Sequence, residues 1–134
     1  MNQQDLDKIL KLHALWLQGN KDGEKADLQK ANLQKANLRE ANLRKADLHR
    51  ADLRDADLRN ADLREANLRE VDLWNTILYG ADLRKADLRG ARLWGCLLHG
   101  ATLWDPRIQD TKKEVSNYSD AELNIDRLKG KQDE

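Results

Sequence analysis

The side chains in this sequence that could serve as nucleophiles, bases or metal ligands are few and scattered. There is one cysteine, Cys96, and three histidines, His13, His49 and His99. The only serines, Ser116 and Ser119, lie near the C-terminus. Covalent catalysis needs a nucleophile within hydrogen-bond reach of a base, in a concave site. Nothing in the spacing of these residues assembles one. Zinc-type Cys/His spacing is absent, and so is a glycine-rich phosphate loop. Aspartate and asparagine are abundant but recur at every fifth residue. That rhythm suits side chains bonding local backbone amides at bends. The expectation is a chain that is not an enzyme, with no cofactor, no metal and no small-molecule substrate.

The fivefold rhythm is the organising feature. Written in fives from Ala26, the chain reads ADLQK, ANLQK, ANLRE, ANLRK, ADLHR, ADLRD, ADLRN, ADLRE, ANLRE, VDLWN, TILYG, ADLRK, ADLRG, ARLWG, CLLHG, ATLWD. These sixteen pentapeptides fill residues 26–105 without an insertion. The third position is always Leu, from Leu28 to Leu103, and the first is Ala except at Val71, Thr76 and Cys96. The second is Asp or Asn except at Ile77, Arg92, Leu97 and Thr102. On an α-helix, five residues advance about 500°, so successive leucines would spray around the axis. The heptad of a coiled coil is excluded as well. In extended chain, residues two apart share a face. Ala and Leu then point one way and Asp/Asn the other, and a bend must return the next Ala to the inside. The unit is a short extended segment plus a corner, and the chain winds as a solenoid.

The A-(D/N)-L-x-x pattern resembles that of the pentapeptide repeat proteins, a family abundant in cyanobacteria. The likeness covers 80 of the 134 residues. It implies an all-β solenoid, a right-handed quadrilateral β-helix in which four pentapeptides form the four sides of one coil. Sixteen repeats then make four coils, a stack about 20 Å long at the usual strand spacing. Some members of the family protect or inhibit DNA gyrase by imitating DNA, so quinolone protection is the alternative function the resemblance implies. Those members are longer and strongly acidic.

Charge weighs against that alternative. Lys plus Arg is 24 and Asp plus Glu is 24, a net charge of zero. A nucleic-acid binder shows a basic excess, and a mimic of DNA needs an acidic one. The arginine columns read as solvated, salt-bridged ladders, in which stacked Arg44, Arg64 and Arg84 require acidic partners such as Glu65. No stretch approaches the roughly 18 apolar residues of a membrane span. The N-terminal MNQQDLDKIL lacks a basic region followed by an apolar core. One cysteine allows no intramolecular disulfide, which suits a reducing, cytoplasmic setting.

A solenoid exposes apolar interior and unpaired edges at both ends, so caps are expected. Over residues 3–18, within an N-terminal segment 1–25, Leu6, Ile9, Leu10, His13, Trp16 and Leu17 recur at helical spacing, with Leu12 and Leu15 widening the stripe. The spacing predicts an amphipathic helix lying across the first coil and stopping at Gly19. In the tail 106–134, Pro106 ends the repeat run. Ser119 to Glu122 has the form of a capping box, and Ala121, Leu123, Ile125 and Leu128 suit a short C-terminal helix. The alternative is that Ala121 and Leu123 keep the pentapeptide register and begin a broken extra coil.

With four pentapeptides to a coil, residues twenty apart stack. The outward fourth positions of the first two coils are then polar, while those of the last two include Trp74, Trp94, Tyr79 and Trp104. Ile77 and Leu97 break the Asp/Asn rule one coil apart on the side that carries Tyr79. Trp74, Ile77, Tyr79, Trp94 and Leu97 thus outline a candidate apolar patch around one corner. Each Trp can bury about 150–250 Å². Three occupants are open: the tail folding back, a second copy of the chain through its C-terminal coils, or another protein. The reading is a protein-interaction or scaffolding module whose partner the sequence does not name.

Overall fold

Parallel bridges join each second-position residue to the one twenty residues further on, from Asp27 with Asp47 to Asp87 with Arg107. This is the computed structural model of the chain, and it describes residues 1–103 and Arg107. The bridges fall in four columns, so four pentapeptides complete one coil. Each side contributes a single bridge rather than a continuous strand, because the chain turns at the fourth and fifth positions before a second rung can form.

One repeat shows how every amide is used. Ala56 N–H donates across the bend to Leu53 C=O at 3.0 Å. Asp57 N–H reaches Ala36 C=O in the coil before it at 3.0 Å, and Leu58 N–H reaches Ile77 C=O in the coil after it at 2.7 Å. Arg59 N–H turns back to Asp57 Oδ1 at 3.2 Å. Asn60 N–H donates to Tyr79 C=O of the following coil at 2.9 Å. All five donors are satisfied, as an ordered backbone requires. To reach that last bond the fifth residue takes a left-handed conformation, with φ between 55° and 63° at eleven non-glycine positions.

The ladder aims the third and first positions inward. All sixteen third-position leucines are buried. First-position residues are buried too, except Ala31, Ala36, Ala41 and Ala101, which belong to the first and last coils. Thr76 is tolerated inside because its Oγ1 donates to Leu53 C=O at 2.7 Å. Cys96 fills the same column and is fully buried.

The ladder also runs one rung past Pro106. Arg107 bridges Asp87, with its N–H on Ala86 C=O at 2.9 Å. The expectation that proline ends the run is corrected here for a register reason. Residue 106 is a first position, whose N–H in other repeats serves the bend and not the ladder. The tail helix expected around Ala121, Leu123, Ile125 and Leu128 lies outside the described residues.

Helix α1 spans Gln3–Leu17, ending one residue earlier than the spacing suggested. Asn2 is its N-cap, accepting Asp5 N–H at 2.8 Å. It closes in a Schellman motif, with Asn20 N–H on Leu15 C=O, Gly19 N–H on Trp16 C=O, both at 3.0 Å, and Gly19 at φ 76°. Leu6 joins the core cluster, and Ile9 and Leu10 pack against it. Trp16 is half-buried and stacks on His13 instead.

The polar contacts of the N-terminal segment reproduce what a preceding coil would have supplied. Gln3 Nε2 donates to Asn37 C=O at 3.0 Å while its Oε1 accepts Asn37 N–H at 3.1 Å. One side-chain amide thus imitates a backbone bridge. The Met1 ammonium donates to Asn32 C=O at 3.2 Å. His13 Nδ1 accepts the N–H of Ala26, which has no preceding repeat leucine to bond, at 2.9 Å. Beyond α1, Glu24 N–H bonds Leu12 C=O at 3.0 Å, which lays residues 20–25 along the helix.

Two substitutions test this account. Leu58→Ala empties a fully buried site in mid-stack and is expected to cost about 2–5 kcal/mol in urea unfolding. Gly23→Ala would set a methyl 2.1 Å from Trp16 N and 2.6 Å from Leu15 C, both backbone atoms. It is expected to cost about 1–3 kcal/mol in the same measurement.

Candidate interaction surface

Second-position side chains do double duty. At all twelve Asp or Asn positions, Oδ1 accepts the N–H of the residue two further on, at 3.1–3.2 Å. Where the second position is Asp and the fourth is Arg, the same carboxylate also takes a guanidinium fork. This occurs at Asp52–Arg54, Asp57–Arg59, Asp62–Arg64, Asp82–Arg84 and Asp87–Arg89. Nε donates to Oδ1 at 2.8–2.9 Å and Nη2 to Oδ2 at 2.6–2.7 Å. The partners of Arg64 and Arg84 are thus Asp62 and Asp82. Acidic partners are present as expected for these two arginines, but they are the aspartates, while Glu65 pairs with Lys45 at 3.7 Å. The D-x-R spacing within one pentapeptide was the available signal.

The forks lower the carboxyl pKa values. At Asp52, Asp57, Asp62 and Asp82 the arginine hydrogen bond is the leading cause. At Asp87 burial pushes upward first, and Arg89 and Arg107 together outweigh it. The Asp–Arg columns of the surface are therefore neutralised within themselves. His49, expected as an outward column residue, shares Glu70 with Arg50, at 3.2 and 2.6 Å.

The rule-breaking corner is different. Ile77 and Leu97 are bridged to each other and half-buried, and Leu97 packs on the core. Trp74 and Trp94 sit one coil apart on the adjoining side, with Asn75 N–H on Trp94 C=O at 3.0 Å. Trp74 is 45% exposed and Tyr79 40%, the widest exposure of large apolar side chains in the described repeats. Trp94 is only half-exposed, and its indole Nε1 is buried without a partner among the described residues. Tyr79 meets His99 edge-to-face at 6.2 Å. With Ile77 and Arg92 at second positions, the Tyr79 and Trp94 amides lose the local acceptor that other repeats provide.

Residues 24–60, 56–95 and 66–105 match the family model described as pentapeptide repeats, in eight copies. The chain belongs to the pentapeptide repeat family. No curated protein matches it significantly. Similar solved structures include a pentapeptide repeat protein from the thylakoid lumen of Arabidopsis thaliana. That protein is 25% identical over 77% of this chain and 72% of its own, at a TM-score of 0.41. A second is a pentapeptide repeat protein from Nostoc, 28% identical over 85% and 90%, at 0.30. A third is QnrB1, a plasmid-mediated fluoroquinolone resistance protein, 18% identical over 77% and 72%, at 0.27. At these TM-scores none of the three bears on how this pentapeptide repeat protein is used.

No group of three or more His, Cys, Asp or Glu among the described residues could hold a metal ion. The Cys96 thiol is fully buried, and desolvation pushes its pKa up, the opposite of an activated nucleophile. No helix among the described residues is long and apolar enough to cross a membrane.

The fork carboxylates set an acid limit. Their folded pKa values lie below the ordinary 3.8, so the stability they contribute is complete above that value. It is lost as pH falls through the lowered folded values. The thermal midpoint is expected to drop below about pH 4. A variant carrying Asp52→Asn, Asp57→Asn and Asp62→Asn keeps the amide acceptors and should lose at most about 1 kcal/mol per site at neutral pH. Its melting curves should depend less on acid than those of the wild type.

Proposed function

We propose that this pentapeptide repeat protein is a non-enzymatic binding module, a right-handed four-sided β-helix. It presents the corner formed by Trp74, Ile77, Tyr79, Trp94 and Leu97 to a protein partner, either another protein or a second copy. The observation that supports this most is the exchange made at Ile77. The repeat gives up the carboxamide or carboxylate that would hold the Tyr79 amide and gains outward apolar surface, bridged to a second departure at Leu97. Exposed aromatics flank both. Elsewhere five Asp–Arg forks tie up the acidic column, which disfavours a DNA-mimicking role. A cytoplasmic setting fits a chain whose one thiol is buried.

The test compares wild type with Trp74→Ala/Tyr79→Ala, a pair of exposed sites whose loss should leave the fold within about 1 kcal/mol. Light scattering reads self-association, and cross-linking in source-cell extract followed by mass spectrometry reads a foreign partner. Loss of either association by about tenfold or more in the variant is the expected result. Equal behaviour of the two proteins overturns the reading. Inhibition of gyrase supercoiling by this chain would replace it with the alternative.

A further inference from the structure

The histidine in α1 is placed unlike any other titratable group among the described residues. His13 is completely buried between the helix and the first coil. Its Nδ1 accepts the N–H of Ala26 at 2.9 Å, and its Nε2 stands 2.8 Å from Arg44 C=O. An amide N–H can only donate and a carbonyl can only accept. The ring is therefore neutral, with its one proton on Nε2. Both nitrogens are spent on the exposed edge of the solenoid, one at the first residue of the first coil and the other near its last. The ring's face stacks on Trp16 at 5.5 Å and 19°.

A proton can enter this site only at Nδ1, where the Ala26 N–H already points. Adding it converts an acceptor into a donor facing a donor, and it leaves a charged imidazolium in an apolar seam. The charged group facing the ring is Lys25, from the segment that follows α1, whose ammonium also lies 5.8 Å over the Trp16 ring. From the coil the ring's hydrogen-bond partners are backbone groups, Ala26 N–H and Arg44 C=O. Neither hydrogen-bond partner of the ring is a carboxylate that could accept the new charge.

We propose that His13 is a proton-sensitive latch, whose protonation undocks α1 and uncovers the first coil's unpaired edge. The remaining attachments favour this geometry. The Gln3–Asn37 pair and the burial of Leu6, Ile9 and Leu10 all lie N-terminal to His13 in the helix. His13 fastens the opposite end, where the chain passes into the repeats. Burial lowers the ring's pKa from the ordinary 6.5, opposed by the Arg44 carbonyl and aided by Lys25. Docking is therefore complete above that value and is lost as pH falls through the lower folded one. Undocking would expose Leu28, Leu33, Leu38 and Leu43 together with the amides of Ala26 and Asn37.

Hydrogen exchange on the full chain tests the latch, with rates corrected for intrinsic pH dependence. Between about pH 7.5 and about pH 4.5, Ala26 and Asn37 should lose about tenfold or more of their protection, while mid-stack amides such as Leu58 keep theirs. His13→Gln does not titrate and should show no such loss. Unchanged protection in the wild type, or an equal loss in His13→Gln, overturns the proposal. Should His13→Gln fail to fold, NMR titration of the His13 ring in the wild type decides. A ring midpoint coinciding with the loss of protection supports the latch, and titration like a free histidine overturns it.

Discussion

The stack depends, at twelve of its sixteen repeats, on one local bond, that from the fourth-position amide to the second-position side chain. The other four amides of a repeat reach backbone carbonyls, two of them in the following coil and one in the preceding coil. The fourth faces outward at the bend and has no backbone acceptor in reach. A side chain with an oxygen three bonds from Cα closes that gap, which is why Asp and Asn fill the column and Ser or Glu, one bond shorter and one longer, do not. With the bend secured, leucine and alanine are aimed inward without any strand longer than a single rung. The carboxylate's second oxygen is then free to hold arginine, so the same residue organises both backbone and surface.

The period of five and the invariant leucine made the solenoid, its inward faces and its stacking by twenty legible from the sequence. The helix was legible too, because Leu6, Ile9 and Leu10 keep a 3.6-residue rhythm and Gly19 marks its stop. What the sequence did not disclose were interactions that depend on unlike elements meeting. Gln3 is an ordinary polar residue until its amide lies against Asn37. His13 reads as one member of an apolar stripe until both of its nitrogens find the coil edge. Gly23 looks like a flexible linker residue, whereas it is the point where the chain touches the helix backbone. Arg107 shows the reverse case, where Pro106 gave a stop signal that applied to the bend and not to the ladder.

The apolar corner was legible as a breach of pattern, since Ile77 and Leu97 stand where the repeat calls for a polar acceptor. Its relief was not. Trp74 and Tyr79 project into solvent, whereas Trp94 and Leu97 are partly sunk, a difference decided by local packing rather than by column position. At the first coil, Gln3, His13 and the Met1 ammonium take the place of several missing backbone partners, and the apolar stripe of α1 covers the leucines beneath.

The four columns of bridges give the molecule an angular address system. Each pentapeptide is a quarter turn, so removing or adding one would leave the core composition unchanged while rotating everything beyond it by one face. Trp74 would then no longer share a side with Trp94 if the change fell between them. Removing twenty residues, by contrast, restores every column and shortens the rod by one storey. A chain of this kind can therefore change length in coils without losing its surface pattern, but a change of a single repeat rewrites which residues are neighbours.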